Sequence, residues 1–451
     1  MYDRFKWEGD ISLKAVILAA GEGRRLYSKT RGYPKPLTRL LGLSIIERGI
    51  LTARTVGITD FIIVVGYQGK KIMETLGDGS RYNVNITYVE NPEWRRGNGV
   101  SLLKTKEFID KPFILMMSDH VFDSSILKYL LEFDGRYECI IAVDRKPKEY
   151  IDIEEATKLK VRGDKIIDIG KKIDGFHGLD CGLFLMTPDI FDALEESISR
   201  GDETLSGGIK VLIDRGRVGY IDIKGAFWID IDTPSDYSIA ERQLLRNLIK
   251  PTDGPISKFL NRPISLSISK YLVNTDITPN TISFISFILS IPAAYLFFKN
   301  ISYIYILLAG LLTQISSIID GVDGEIARLK YQQSKYGARL DSCLDRYSDA
   351  LIIFGMTHGY WILYGRGELI WFIGTAALIG SFMNSYTAIK YDTIIESRKT
   401  KSFRIGRDIR LFLIMIGAIA NQILPTLIIL AIITNLESLR RLYVMRDTSG
   451  S

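Results

Sequence analysis

The last third of the chain constrains its fold most. From about Thr281 to Thr434 the sequence is dominated by long apolar segments, and six can be read: roughly 281–298, 302–319, 347–364, 368–389, 406–421 and 423–440. Most are near the ~20 residues that cross the hydrocarbon core of a bilayer. Lipid offers backbone groups no partner, so such segments must satisfy their own N–H and C=O groups as helices. A single buried soluble helix can mimic one such run; six in series point to a membrane domain. The last two are short and poorly separated, which leaves their boundaries loose.

Lysine and arginine in short connections set the orientation of spans. Between the second and third segments lie Arg328, Lys330, Lys335, Arg339 and Arg346. Between the fourth and fifth lie Lys390, Arg398, Lys399, Lys401, Arg404, Arg407 and Arg410. The opposite side offers only Lys299 and Arg366 in its first two connections. The basic side is expected to be cytoplasmic, and an even number of spans puts both termini there. Ahead of the first span, 256–272 mixes apolar residues with Lys258, Arg262 and Lys270. That pattern suits an amphipathic helix lying on the cytoplasmic interface, although a plain linker helix would read the same way.

A chain of 451 residues exceeds one typical domain. Up to about Lys250 it alternates apolar and charged runs, as a soluble α/β protein does. The expected division is a cytoplasmic domain over 1–250, a linker with the interfacial helix over 251–275, and the membrane domain over 276–451. The net charge of +6 is modest and gives no argument for a nucleic-acid partner. Cys139, Cys181 and Cys343 are too scattered for a disulfide framework, which fits a reducing compartment. The first residues lack the apolar core and cleavage site of a signal peptide. An integral protein of the cell membrane is expected.

The stretch DGVDGEIARLKYQQSKYGARLDSCLDR runs from Asp320 to Arg346 at the junction of the second and third spans. Asp320 and Asp323 are three apart, and Asp341 and Asp345 four apart, so each pair shares one helix face. Two adjacent helices would aim four carboxylates at one point. Carboxylates near membrane depth are costly, and mutual repulsion calls for divalent cations; hard oxygen donors favour Mg²⁺ or Mn²⁺. Gly324 and Ala327 let a ligand approach the backbone, and Arg328 can meet a phosphate. Asp349 and His358 lie within the third span, where they line a cavity or pair internally. Arg404, Arg407 and Arg410 sit three apart at the mouth of the fifth span, a candidate cradle for a phosphate on the acceptor or ordinary positive charge at the interface.

The pattern D-x-x-D-G-x-x-A-R, followed by G-x-x-x-D-x-x-x-D, is matched by Asp320, Asp323, Gly324, Ala327, Arg328, Gly337, Asp341 and Asp345. It resembles the CDP-alcohol phosphotransferase family of six-span membrane enzymes over roughly 255–445. Thr278-Pro279-Asn280 also resembles the entry to that family's helix bundle. The resemblance implies that Asp320, Asp323 and Asp341 bind metal, with Asp345 beside the metals as the base that deprotonates an acceptor alcohol. The resulting oxygen would attack the phosphoryl group on the donor alcohol and expel CMP. It also implies a homodimer formed through the membrane domain.

In the first half, KAVILAAGEGRRL reads as a buried strand ending in a glycine-rich turn before a helix. Gly21 and Gly23 free the backbone to wrap phosphates. YPKPL follows, and then two carboxylate sites at strand ends: Asp119 in PFILMMSDH, and Asp230 and Asp232 in GAFWIDIDTPSDY. This resembles the sugar-phosphate nucleotidyltransferase family over roughly 12–245. The resemblance implies a phosphate-binding loop from Gly21 to Arg25, Lys35 as the catalytic lysine, and Asp119 and Asp230 as metal carboxylates. Arg24 stands where that family usually has Thr or Ser. The expected fold is thus an α/β nucleotidyltransferase domain with a Rossmann-like mixed sheet, fused to an all-α six-helix transmembrane domain.

One half would make an activated nucleotide ester and the other would use a CDP ester, so the nucleotide is expected to be CTP. The stretches RRGNGVSLL (with Gly97 and Asn98), MSDH, VDRKP, EEATKLKV and LDCGLFLM are similar to the inositol-1-phosphate cytidylyltransferase domain of archaeal bifunctional enzymes. That resemblance implies CDP-inositol as the intermediate and inositol phosphate as substrate of both halves, with Glu155, Lys158 and Asp180 as its candidate pocket. It also implies di-myo-inositol phosphate phosphate as product and a thermophilic source. The alternative is a CDP-alcohol-dependent phospholipid synthase whose first half is weakly active or non-catalytic.

Overall fold

The segment KAVILA forms strand β1 (Lys14–Ala19), buried along nearly its whole length. A strand covered on both faces needs no alternation of polar and apolar residues. The computed structural model describes residues 13–23, 26, 32–133, 136–250, 253–365, 367–398 and 405–446. They divide into one unit ending at Gln243 and a second beginning at Leu244.

In chain order the other strands of the first unit are β2 (Arg39–Leu40), β3 (Leu43–Ser44), β4 (Asp60–Val65), β5 (Asn85–Glu90), β6 (Phe113–Met117), β7 (His120–Phe122), β8 (Cys139–Asp144), β9 (Lys158–Arg162), β10 (Lys165–Gly170), β11 (Gly178–Met186), β12 (Val218–Asp222) and β13 (Trp228–Asp230). Eight of them join β1 in one nine-stranded sheet, in the order β5-β4-β1-β6-β11-β8-β12-β10-β9. The pairs β1–β4, β1–β6, β4–β5 and β8–β12 are parallel, and β11 runs antiparallel to β6 and β8, so the sheet is mixed as the sequence indicated. Two features of this unit build the site. The pairing of β11 with β8 shifts register between Asp180 and Phe184. β7 and β13 form a separate antiparallel ribbon in which Asp230 stands opposite His120.

The second unit is helical. After a π-helical turn, Ser257–Asn261, come α1 (Arg262–Leu272), α2 (Pro279–Lys299), α3 (Tyr303–Leu329), α4 (Lys335–Leu363), α5 (Leu369–Arg398), α6 (Arg407–Ile419) and α7 (Ile423–Arg446). Among the described residues four helices are long and apolar enough to cross a membrane: α2, α3, α5 over Leu369–Ala388, and α7. α4 carries Asp341, Asp345 and Asp349, and α6 is only 13 residues long, which separates both from those four. As the pattern required, α3 continues beyond Asp320 and α4 begins before Asp341.

Small and hydroxylated residues let these helices approach, as expected where apolar surface gives no preference for protein over lipid. Ser286 donates to the Ser316 carbonyl, and Ser316 donates back to that of Ser286, joining α2 to α3. At Gly355 and Gly359 an added Cβ would lie 2.4 Å from the Ala294 carbonyl oxygen and 2.0 Å from that of Phe297, so α4 packs directly on the backbone of α2.

α1 presents its faces in an unusual sense. Its buried residues are Arg262, Ser265 and Ser269, whereas Ile264 and Tyr271, with Phe259 just before it, are exposed. The polar stripe faces protein together with Ile268 and Leu272, while the exposed apolar residues face outward, as on a helix in contact with lipid.

Candidate active sites

In the first unit the turn after β1 packs on Lys35. Gly23 has φ +63°, and a Cβ there would come within 2.5 Å of the Lys35 Cβ, so only glycine suits the position. Lys35 opens a short 3₁₀ turn, Lys35–Leu37, between two prolines. Its Nζ lies 2.6 Å from Asp119 Oδ2, 2.6 Å from Asp232 Oδ1 and 3.5 Å from Asp230 Oδ1. Burial alone would disfavour the ammonium, but the three carboxylates outweigh it and hold Lys35 well above the usual lysine range. Burial likewise works against an ionised Asp119, yet Lys35 and His120 hold its carboxyl well below the ordinary range.

The β7–β13 register carries Asp230 to this point. Burial and the neighbouring Asp119 push its carboxyl up to about 6. His120 Nδ1 lies 2.9 Å from Asp119 Oδ1. Burial opposes its charge, but Asp230 and Asp119 raise it to about 9. The fit of His120 depends on the β11 register shift: Gly182 has φ +71°, and a Cβ there would lie 2.6 Å from His120 Nε2. Ligand atoms of Asp119, His120 and Asp230 lie within 4.8 Å of one another. Asp230 Oδ1 is buried and accepts no hydrogen bond. An oxygen-rich set with an unsatisfied carboxylate oxygen fits a hard divalent cation.

A cavity of about 640 Å³ opens beside these residues, and Asn98, Glu155, Lys171 and Asp180 are among its lining. Burial raises Asp180 to about 6, against the pull of the Gly182 N–H that it accepts. One expectation changes. Lys158 is not in the lining; its Nζ donates to the carbonyls of Glu154 and Lys171, and Lys171 takes its place, 3.2 Å from Glu155. At Gly97 a Cβ would lie 2.1 Å from the Glu203 carbonyl oxygen, so that glycine serves loop packing. Asn98 Oδ1 accepts from the Leu205 N–H, which ties the same loop down. Gly21 has open space around it. Arg24 and Arg25 lie outside the described residues.

In the second unit, Asp320 on α3 meets Asp341 and Asp345 on α4, with ligand oxygens all within 4.8 Å. An all-carboxylate set of hard oxygens fits Mg²⁺ or Mn²⁺. Asp323 departs from the expected quartet: it is buried, and accepts from the Ser283 hydroxyl and the Gly324 N–H. Arg328 folds over Gly324, with a nitrogen 3.3 Å from where a Cβ would sit, and donates to the Leu248 carbonyl; Ala327 is half-buried nearby. The Gly337 N–H donates to Ser334 Oγ, and a Cβ at Gly337 would lie 3.1 Å from Asn280 Oδ1, so this glycine fits the first turn of α4 beside the start of α2.

The arginine cradle is also revised. Arg407 lies 2.6 Å from Asp345 Oδ1, 3.1 Å from Asp320 Oδ2 and 3.1 Å from Asp349 Oδ1. Arg410 is buried on Asp349, 3.1 Å away, rather than presented to a ligand. Arg404 lies outside the described residues. His358 stacks on Phe298, with ring centroids 3.7 Å apart, and Asp349 pairs internally. A further charge, absent from the expectations, is Glu325: wholly buried, it accepts from Arg262, Ser265 and Ser269 at 2.6 Å each. Its spacing two residues after Asp323 offered no signal, because its partners come from α1.

A family model described as nucleotidyl transferase matches residues 14–247, and one described as CDP-alcohol phosphatidyltransferase matches 276–437. The bifunctional IPC transferase and DIPP synthase of Rubrobacter xylanophilus is 34% identical over 437 residues, 96% of each chain. The protein of that name from Archaeoglobus fulgidus is 37% identical over 418 residues, 91% of this chain and 79% of its own. A solved inositol-1-phosphate CTP transferase from T. maritima is 30% identical over 51% of this chain and 96% of its own, with a TM-score of 0.46. The chain is therefore a transferase with two catalytic modules, and it belongs to the family of bifunctional IPC transferases and DIPP synthases.

Proposed function

We propose that the chain performs two consecutive transfers. CTP and inositol-1-phosphate give CDP-inositol and pyrophosphate; CDP-inositol and a second inositol-1-phosphate then give di-myo-inositol phosphate phosphate and CMP. The observation that carries this reading is the similarity of nearly the whole chain, both modules together, to relatives named for both activities.

In the first step an oxygen of the phosphate monoester attacks the α-phosphate of CTP, and pyrophosphate leaves. Gly21, Gly23 and Arg25 form the phosphate loop, and Lys35 keeps its positive charge at the reacting phosphates. Asp119 and Asp230 would hold the cation of the triphosphate, with His120 fixing Asp119. Glu155, Lys171 and Asp180 line the space for the inositol ring. In the second step Asp345 takes the proton of the acceptor hydroxyl, whose oxygen attacks the phosphoryl group bound to the donor inositol. CMP leaves. Asp320, Asp341 and Asp345 would hold the cations, with Asp323 alongside, and Arg407 faces the incoming phosphate. Divalent cations in either site supply neutralisation of the phosphates and of the leaving group.

The membrane reading extends to six spans, with α4 and α6 added to the four apolar helices. The basic residues between α3 and α4, among them Arg328, Lys330 and Lys335, favour a cytoplasmic first module and cytoplasmic termini. A homodimer through the membrane module is part of the same reading. The test is to give the purified chain CTP, inositol-1-phosphate and Mg²⁺ and to identify products by mass spectrometry. Pyrophosphate, CMP and a water-soluble diinositol product are expected. A product that partitions into organic solvent would favour a phospholipid synthase and overturn the reading.

A further inference from the structure

Three carboxylates converge in the membrane module, and a phosphate monoester must approach them. Its negative charge needs a cation held at the cluster, yet a free arginine beside three aspartates has many ways to chelate them. Arg407 is not free. Its Nε lies 3.1 Å from Asp349 Oδ1, while a terminal nitrogen lies 2.6 Å from Asp345 and 3.1 Å from Asp320. One edge of the guanidinium is thus taken by Asp349, which leaves the other to face the reacting carboxylates.

Asp349 is itself braced. It is buried, and its second oxygen lies 3.1 Å from a terminal nitrogen of Arg410. Arg410 in turn donates to the Ser381 carbonyl at 2.5 Å and to Ser385 Oγ at 3.1 Å. The chain of contacts joins α3, α4, α5 and α6, and Asp349 is the one residue in it that touches both arginines. It lies outside the aspartate pattern of the family, one helical turn after Asp345.

We propose that Asp349 is a positioning residue for the second transfer: it orients Arg407 against Asp345 and Asp320, and so places the cation that receives the acceptor phosphate. The inference rests on the two-step reading above. An ion pair that merely joined helices would add to stability without coupling to Arg407 in turnover.

The test is a double-mutant cycle on the full-length chain in detergent, with CMP release from supplied CDP-inositol as the readout. D349N and R407Q should each lower kcat/KM for inositol-1-phosphate at least tenfold, with a larger effect on the KM of the acceptor than on that of CDP-inositol. The double variant should be no more than about threefold worse than the poorer single one, because Asp349 acts through Arg407. D349E, which keeps the charge, should recover part of the loss, and it carries the same cycle if D349N does not yield monodisperse protein. Multiplying effects in either cycle, or a wild-type acceptor KM in D349N, would overturn the inference. A wild-type chain that releases no CMP would instead sink the two-step reading, and this inference with it.

Discussion

Arg262 on α1 and Glu325 on α3 meet at 2.6 Å, and Glu325 has no exposed surface. Ser265 and Ser269 donate to the same carboxylate, and Asp253 supports the far side of Arg262 at 2.9 Å. The surface helix is therefore held to the second span by a buried charge as well as by the apolar contact of Ile268 and Leu272 with Val322 and Ile326. E325Q keeps the shape but loses the charge. It should destabilise the membrane module by about 1–3 kcal/mol, read as a lower melting temperature in detergent. An unchanged melting curve would remove this clip from the account.

Asp345 is the residue whose loss should separate the two activities. D345N is expected to lower CMP release by about 10²–10⁴-fold, the usual contribution of a general base, while leaving pyrophosphate release from CTP intact. Steady-state assays of both products on one preparation check this.

The reciprocal separation should follow from Asp230. D230N removes a carboxylate beside Asp119 and Lys35 and is expected to slow pyrophosphate release about 10²-fold or more. CMP release from supplied CDP-inositol should continue at the wild-type rate. A parallel loss of both activities would mean that the variant damages the fold.

Gly182 makes a steric prediction. G182A places a Cβ 2.6 Å from His120 Nε2 at a φ of +71°, a region that costs L-residues about 1–2 kcal/mol. Pyrophosphate release should fall with a loss of melting temperature, and H120A should relieve the clash but not restore the rate.

Asp180 makes a prediction about pH. Its folded value of about 6 lies above that of an unfolded aspartate, near 3.9. The folded chain therefore binds the proton more tightly, so this group's favourable contribution is present below about 4 and is lost as pH rises through 6. D180N should be more stable than wild type at pH 8, and that advantage should vanish as the pH falls below 5. Melting curves across that range decide it.

Much of this architecture is legible in the sequence because lipid allows few choices. Apolar runs had to be helices, so the ends of α2 and α3 fall within a few residues of the apolar limits on one side and, for α3, run on to include Asp320 and Asp323. Aspartates spaced three and four apart then share a face by geometry alone. Contacts between distant segments were not legible. Resemblance puts Asp119 and Asp230 in one site with Lys35, but nothing near Lys35 announces that Asp232 also lies 2.6 Å from its ammonium, because that depends on how the chain leaves β13. The spacing of Arg407 and Arg410 placed them on one side of a helix but did not say that Asp349 faces that side. Lys158 failed for a related reason: its strand position was plausible, but its ammonium is occupied by two carbonyls.

The ribbon of β7 and β13 has a consequence for how this chain tolerates change. The separation of the Asp230 and His120 backbones is set by their opposition in the antiparallel pair. Substitutions elsewhere in the apolar interior that leave this pairing intact should leave that backbone separation unchanged. The nearness of the two side chains thus rests on main-chain pairing, with Gly182 leaving room for the imidazole ring.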